Sequence, residues 1–394
     1  MVDFFKMTDT FGFQLPRKIL FGNQAVEKVG VEIKAEFGSG KILLVTDKGI
    51  ANSGLLEKVK NPLEKEGFEV IVFDAVLPDS PIKLVLQGAE IARQAGVNII
   101  LAVGGGSSID TAKAISFMVD YSGDIREILG SNQVKRAGLP KVFIPTTAGT
   151  GSELSHTFVL YDDESGRKIT SYSPFAFADI SIIDPTLTLN LPPRITAESG
   201  IDAFSHALES FVTIKANPLS DLFSLRGIEL IAKNLRKAYA KGPHNLDARY
   251  AMCFGVCMGT MAIRSSGVGA VHATCYPLAM KYKLSHGVAI GLMLPYVMEA
   301  NIIGNAEKYA EVARVMGENV QNVSAIDAAY ASVNAVKRLV TDIGMPIRLR
   351  EIGADKNDFS DLAKTVLESY PHHITNNPVT LSHSDLVGIY ESAY

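Results

Sequence analysis

Four short apolar runs in the first half of the chain leave few folds open to it. Lys41-Ile42-Leu43-Leu44-Val45-Thr46-Asp47, Glu69-Val70-Ile71-Val72-Phe73-Asp74, Asn98-Ile99-Ile100-Leu101-Ala102-Val103 and Lys141-Val142-Phe143-Ile144-Pro145 are continuous rather than alternating. Strands covered on both faces of a parallel sheet have that pattern. Helical periodicity separates the first three. Between the second and third, Ile82, Val85, Leu86, Ala89, Ile91 and Ala92 fall largely on one stripe of residues 81–96. This alternation predicts βαβ units. An edge strand near residues 17–22 and a last strand over 178–184 complete the set, and the runs 157–161 and 167–172 read as a β-hairpin. After Pro185, Pro192 and Pro193 the period changes to helical, as in Leu222, Phe223, Ile228, Leu230, Ile231, Leu235 and Ala238. The expectation is an α/β domain over residues 1–187 and an all-helical domain over 188–394, within the usual domain sizes.

The third strand runs into Gly104-Gly105-Gly106-Ser107-Ser108-Ile109-Asp110. Glycines allow close backbone approach, and a helix N-terminus behind them is a phosphate site. Ser107 and Asp110 have the spacing of a capping box. The stretch is neither G-x-G-x-x-G nor a Walker loop, and taken alone it is also a plain strand-to-helix turn. Asp47, closing the first strong strand, is read either as a cap for the next helix or as an acceptor for a ribose 2′-OH. Pro145-Thr146-Thr147-Ala148-Gly149-Thr150-Gly151-Ser152-Glu153 follows the fourth strand and is dense in O–H and N–H donors.

In the second half, Asp202 and His206 are four residues apart in a helical stretch and leave one helix face. His272 and His286 follow, the latter directly before Gly287. One oxygen donor and three imidazoles suit a divalent transition ion such as Fe²⁺ or Zn²⁺. A structural zinc site is the alternative, but such sites usually carry thiolates, and only the poorly placed Cys275 is near in sequence. The other histidines, His156, His244, His372, His373 and His383, repeat no ligand spacing.

A net charge of −4 provides no basic field for nucleic acid or anionic lipid, so a small-molecule substrate is expected. No apolar run reaches the roughly 20 residues of a membrane span, the longest lying near residues 251–263, and residues 1–9 lack a signal-type apolar core. Three cysteines are too few for a disulfide framework. A cytoplasmic protein is the expectation.

Taken in order, Gly-Gly-Gly-Ser-x-x-Asp from Gly104, Pro-Thr-Thr-x-Gly-Thr-Gly-Ser-Glu from Pro145, Gly-Ile-Asp-Ala-x-x-His-Ala from Gly200, and Val-His with His-Gly-Val-Ala between Val271 and Ala289 resemble the iron-containing alcohol dehydrogenases over essentially the full chain. The resemblance implies a Rossmann-like dinucleotide-binding domain and a helical metal-binding domain, a plan shared with dehydroquinate synthase. It implies Fe²⁺ or Zn²⁺ on Asp202, His206, His272 and His286. It also implies NAD on Asp47, Gly104, Gly105, Gly106, Ser107, Ser108, Asp110, Thr146, Thr147, Thr150 and Lys168, in a homo-oligomer that interconverts a small alcohol or diol and its aldehyde or ketone. A lyase or cyclase of the dehydroquinate synthase type is the alternative. The sequence departs from the family at Tyr276, where a second histidine is common. Either Tyr276 only fills that space, or its hydroxyl carries the alcohol proton, and Pro277 disfavours helix there. Arg264, about two helical turns before His272, is read as an ion-pair member or an anion receptor.

Overall fold

The computed structural model describes residues 10–394, so the segment 1–9 read above lies outside the described residues. Two compact units divide the chain. One is Leu15–Leu189; the other is Asn190–Tyr394 together with residues 10–14. The join therefore falls past the expected 187, and residues 10–14 group with the helices instead of the α/β unit. Phe13 draws them there by stacking on Phe223, with ring centroids 5.6 Å apart.

The α/β unit contains β1 (Lys18–Phe21), β2 (Lys41–Val45), β3 (Glu69–Phe73), β4 (Ile99–Gly104), β5 (Lys141–Pro145), β6 (Thr157–Asp162), β7 (Arg167–Tyr172) and β8 (Ile180–Ile183). Its helices are α1 (Val29–Phe37), α2 (Lys48–Ala51), α3 (Leu55–Lys65), α4 (Ile82–Ala95) and α5 (Gly106–Met118). Among the described residues six strands form one parallel sheet in the order β1-β8-β5-β4-β2-β3, and β6 and β7 form a separate antiparallel hairpin. Continuous apolar strands are explained by burial on both sides: Leu43, Val45, Ile100 and Ala102 face one core layer, Ile42, Leu44, Ile99, Leu101 and Val103 the other. The chain leaves β2 for β3 on one side and returns to β4 on the other, so the strand order reverses between β2 and β4. In open parallel sheets the crevice at that reversal, beyond the strands' C-terminal ends, is where ligands bind.

The capping box expected at Ser107 and Asp110 does not form. α5 begins at Gly106 with Gly105 as its cap residue and no side-chain cap, so Ser107 is already inside the first turn. Asp110 points inward, accepting from Ser152 Oγ at 2.5 Å and from the Val159 N–H at 3.0 Å. Beside it the wholly buried Lys113 donates to Ser152 O, Ser152 Oγ and Thr157 O at 2.7–2.8 Å. The pair fastens the loop after β5 and the hairpin onto α5.

The second unit consists of α6 (Pro193–Val212), α7 (Pro218–Lys241), α8 (Leu246–Ser266), α9 (Ala270–Tyr282), α10 (His286–Met316), α11 (Ala325–Asp342), α12 (Phe359–Ser369), α13 (Pro371–Asn376) and α14 (His383–Ala393), with short 3₁₀ turns between some of them. The chain bends by 104° between α8 and α9, so Arg264 and His272 are on different helices and the two-turn spacing read from the sequence has no structural meaning. α9 runs through Pro277 without stopping, contrary to the expectation. Ala273, Cys275 and Leu278 are fully buried around it, and their packing outweighs the roughly 3 kcal/mol a helix-interior proline costs. The 31-residue α10, not residues 251–263, is the one described helix long and apolar enough for a membrane span, but 72% of its most apolar window is buried inside the protein. It is a core helix, broken at Asn305, where Lys308 reaches the α6 terminus at Phe211 O (2.6 Å) and pairs with the buried Asp221 (2.9 and 3.0 Å).

Candidate metal centre and dinucleotide loop

α6 carries Asp202, His206 and Glu209 along one buried stripe, α9 contributes His272 from its first turn, and α10 begins with His286. Gly287 makes that last placement possible. A Cβ there would lie 2.2 Å from the backbone oxygen of Glu198 on α6, so only glycine lets α10 start this close. The Nε2 atoms of His286, His206 and His272 lie 3.4, 3.5 and 3.7 Å from Asp202 Oδ1. These separations are near the ~3.4 Å edge of a tetrahedron whose centre is ~2.1 Å from each corner, the usual ion-to-nitrogen and ion-to-oxygen distance. Asp202, His206 and His272 form the tightest group, with every donor within 4.8 Å of the others. His286 is close to Asp202 but outside this group, and lies on the open side: its side chain is 39% exposed, against 3–12% for His206 and His272.

Asp202 Oδ1 and His272 Nε2 are buried without any hydrogen-bond partner. Orphaned groups of this kind cost free energy unless something else satisfies them. A carboxylate oxygen and an imidazole nitrogen, both partnerless and facing one point, are what a cation would satisfy once the imidazole gives up its proton, so the residues present fit a bound ion. Burial alone would raise the Asp202 pKa, but the facing His206 and His286 outweigh it and hold the carboxyl well below its usual range. Burial carries His206 down to about 4. It acts the same way on His272, where Glu209 and then Asp202 outweigh it and bring the imidazole up to about 9.

Glu209 is the member of this site that the sequence reading missed. It is buried; Oε1 accepts from the Gly269 and Val271 N–H groups, both at 2.9 Å, and Oε2 pairs with His272 Nδ1. Holding one proton on Nδ1 makes Nε2, which faces Asp202, the nitrogen that would give up its proton and offer a lone pair to an ion. The signal was present, since Glu209 is seven residues after Asp202 and therefore on the same face two turns later. His286 has a weaker tether, the Cys275 thiol at 3.7 Å from its Nδ1. Tyr276 stacks on His286 with centroids 5.5 Å apart and 13° between planes, and meets His272 at 6.1 Å. Tyr370 and His373, also unanticipated, pack against Tyr276. No spacing in the sequence ties them to it.

In the α/β unit, the strand reversal point brings together most of the other expected residues. Gly104 pairs with Pro145 across β4 and β5, and Thr146 N donates to Gly104 O at 3.0 Å. A Cβ on Gly104 would meet Ser108 Oγ at 2.4 Å, one on Gly105 would meet Thr147 at 3.4 Å, and one on Gly106 would meet Thr150 Oγ1 at 3.0 Å. A backbone cradle rimmed by hydroxyls results, at the start of α5, where N–H groups are free to take phosphate oxygens. Asp47 does cap α2, its Oδ1 accepting from Gly49 N (2.8 Å) and Ile50 N (3.1 Å). Its Oδ2 nevertheless reaches within 3.6 Å of the Cβ position of Gly104, so the cap and ribose readings are compatible. Ser107 O accepts from Ser80 Oγ at 3.0 Å, and Lys168 on β7 pairs with the neighbouring Asp79 at 2.7 Å. Asp110 differs from these: both of its oxygens are engaged inside the unit, by Ser152, Val159 and Lys113, which gives it a scaffolding task.

A doubly wound nucleotide-type sheet and a buried carboxylate facing three imidazoles are the parts of a metal- and dinucleotide-dependent enzyme. Family models agree: residues 16–185 match the iron-containing alcohol dehydrogenases, and residues 196–394 match the C-terminal domain of the same family. The chain belongs to the iron-containing alcohol dehydrogenase family. It is 36% identical over 386 residues to 1,3-propanediol dehydrogenase of Citrobacter freundii (98% of this chain, 99% of the other), and 34% identical over 376 residues to lactaldehyde reductase of Escherichia coli (95% and 97%). A crystal structure of 1,3-propanediol oxidoreductase superposes with a TM-score of 0.94 at 35% identity, over 98% of this chain and all of the other. The chain is an oxidoreductase acting on CH–OH that uses NAD(H) and iron or a similar metal. These relatives are named as dehydrogenases and reductases, so nothing favours the cyclase alternative.

Glu209→Gln is expected to weaken metal binding by about 10–100-fold. An amide facing Nδ1 donates to it and moves the imidazole proton to Nε2, where it blocks the atom that faces Asp202. Metal-competition titration reads the loss, and unchanged affinity would remove the orienting role. In the unaltered protein, His272 is protonated without an ion at neutral pH, because its pKa is raised to about 9. Metal uptake at pH 7 therefore releases protons into weak buffer, and affinity tightens as pH rises towards about 9.

Proposed function

We propose that the chain interconverts a small alcohol or diol and its aldehyde or ketone, with Asp202, His206, His272 and His286 holding the ion and the Gly104–Gly106 loop holding NAD. The observation that carries this reading is the partnerless, buried Asp202 Oδ1 with three imidazole Nε2 atoms 3.4–3.7 Å away. When bound, the metal supplies Lewis acidity towards an alcohol hydroxyl and the nicotinamide accepts hydride. The protein's own groups do the rest. Glu209 and Cys275 hold the tautomers of His272 and His286. Ser107, Ser108, Thr146, Thr147 and Thr150 bind and orient the dinucleotide around the loop, Asp47 Oδ2 accepts from the adenosine ribose, and Lys168 contacts a further part of the cofactor. Tyr276, stacked on the most exposed imidazole, passes the alcohol proton from its hydroxyl to solvent.

Three further elements belong to the same reading. Propanediol and lactaldehyde, named for the relatives, set the substrate class. A homo-oligomer is supported by exposed apolar side chains on the helical unit, Ile214, Leu222 and Ile303 among them. A cytoplasmic location is supported by three buried, free cysteines.

Chelation should abolish NAD⁺-dependent oxidation of 1,3-propanediol, Fe²⁺ or Zn²⁺ should restore it, and His286→Ala should lose turnover while keeping NADH affinity. Full turnover in a preparation shown to be metal-free rules out the reading. Asp47→Gly should relax a preference for NAD over NADP by about tenfold or more, because a carboxylate repels a 2′-phosphate; equal use of both cofactors by the unaltered protein at low salt would move Asp47 out of the ribose site. Tyr276→Phe keeps the stacked ring and removes the hydroxyl. A fall in kcat of about 10²-fold, with NADH affinity retained, is expected, and unchanged kcat from mildly acidic to alkaline pH leaves Tyr276 as packing alone.

A further inference from the structure

Access to the metal centre within the helical unit is one-sided. Asp202, His206 and His272 are 3–12% exposed at their side chains, whereas His286 is 39% exposed, so a small molecule reaches the four donors past His286. Aromatic rings flank that approach. Tyr276 stacks on His286, Tyr370 lies 4.9 Å from Tyr276, and His373 stands edge-on to both tyrosines at 6.0 Å. All three rings are half-buried, with part of their surface left to solvent.

Tyr370 and His373 are brought there by an anchored segment. Directly after them, the buried Asn376 donates to Ser266 O (2.8 Å) and Val268 O (2.9 Å), the two carbonyls at the bend before α9. Asn377 accepts from Ala270 N at 3.3 Å and exchanges amide hydrogen bonds with Asn301 of α10 at 2.9 and 2.6 Å. Six-residue α13 is therefore pinned to both helices that supply His272 and His286. These five hydrogen bonds tie the segment that carries the two rings to the metal-bearing helices, although Asn376 Oδ1 is itself buried without a partner. Burial lowers the His373 pKa to about 4, which keeps the ring uncharged at working pH.

We propose that Tyr370 and His373, with Tyr276, form the wall that contacts the carbon chain of the alcohol and sets the chain length the enzyme accepts. An alcohol whose oxygen is at the four donors must extend its chain towards the exposed side, along these rings. An aromatic wall gains from contact with methylenes and carries no cation to hold a carboxylate, so the class it selects is the short neutral alcohol or diol. The rings also cap the available length. This rests on the reading of the metal centre as an alcohol site.

The test uses the Co²⁺-loaded protein and the n-alkanols from ethanol to 1-octanol, following the visible d–d band for binding and NADH formation for turnover. Tyr370→Ala should raise the ratio of kcat/KM for 1-octanol over 1-propanol by about tenfold or more, with a parallel change in the binding series, and His373→Ala should move it in the same direction. Tyr370→Phe should leave it within about twofold of the starting value. Tyr370→Leu serves if the alanine variant does not fold, and is expected to fall between. An unchanged chain-length profile in Tyr370→Ala or Leu and in His373→Ala, with alkanols still shifting the Co²⁺ band, overturns the wall and leaves the alcohol site standing. Alkanols that never shift the band in the unaltered protein overturn both.

Discussion

A buried carboxylate, Glu209, ties the metal-binding helices together. Burying a charge of this kind costs several kcal/mol unless it is paired and hydrogen-bonded, and Glu209 meets the requirement with two backbone N–H groups and the His272 imidazole. Those N–H groups open α9, so one side chain of α6 both seats the next ligand-bearing helix and fixes which nitrogen of its histidine faces inward. Burial and the same three partners compete on the Glu209 carboxyl, and the partners win, holding it below its ordinary range.

The four donors are consequently unequal. His272 is clamped by a carboxylate, whereas His286 has a thiol on its outer nitrogen, a much weaker partner. His286 also begins its helix and is the donor most open to solvent. Rigidity on the inner side and openness on the outer side would suit a centre that keeps an ion while a substrate comes and goes. Its shape depends on one close backbone approach, at Gly287 against Glu198, which no other residue type allows.

The α/β unit solves a different problem, binding a large anion without a large positive field. Charges in the chain nearly cancel, so a phosphate bound at Gly104–Gly106 would rely on oriented backbone N–H groups and hydroxyls. Asp47 divides its two oxygens, one capping α2 and the other facing the glycine loop. Economy of this sort explains why the cap and ligand readings could not be separated from the sequence.

The sequence by itself determined the parallel sheet, the hairpin, the helical second half, and which side chains could bind an ion. These follow from period, length and donor chemistry, all local properties. Asp202 and His206 share a helix, so their partnership was legible in their spacing; His272 and His286 joined them first on donor type and then through family resemblance, because no spacing rule relates residues on different helices. Tertiary structure decided the rest. It carried residues 10–14 to the helical unit through one aromatic stack, and kept α9 helical through Pro277 because burial outweighed a lost hydrogen bond. It turned Asp110 inward to Ser152 and Val159, and brought Tyr370 and His373 beside the metal centre through the Asn376 and Asn377 anchors. In each case the deciding partner is far away along the chain, and a local pattern carries no information about which distant group will fill a contact.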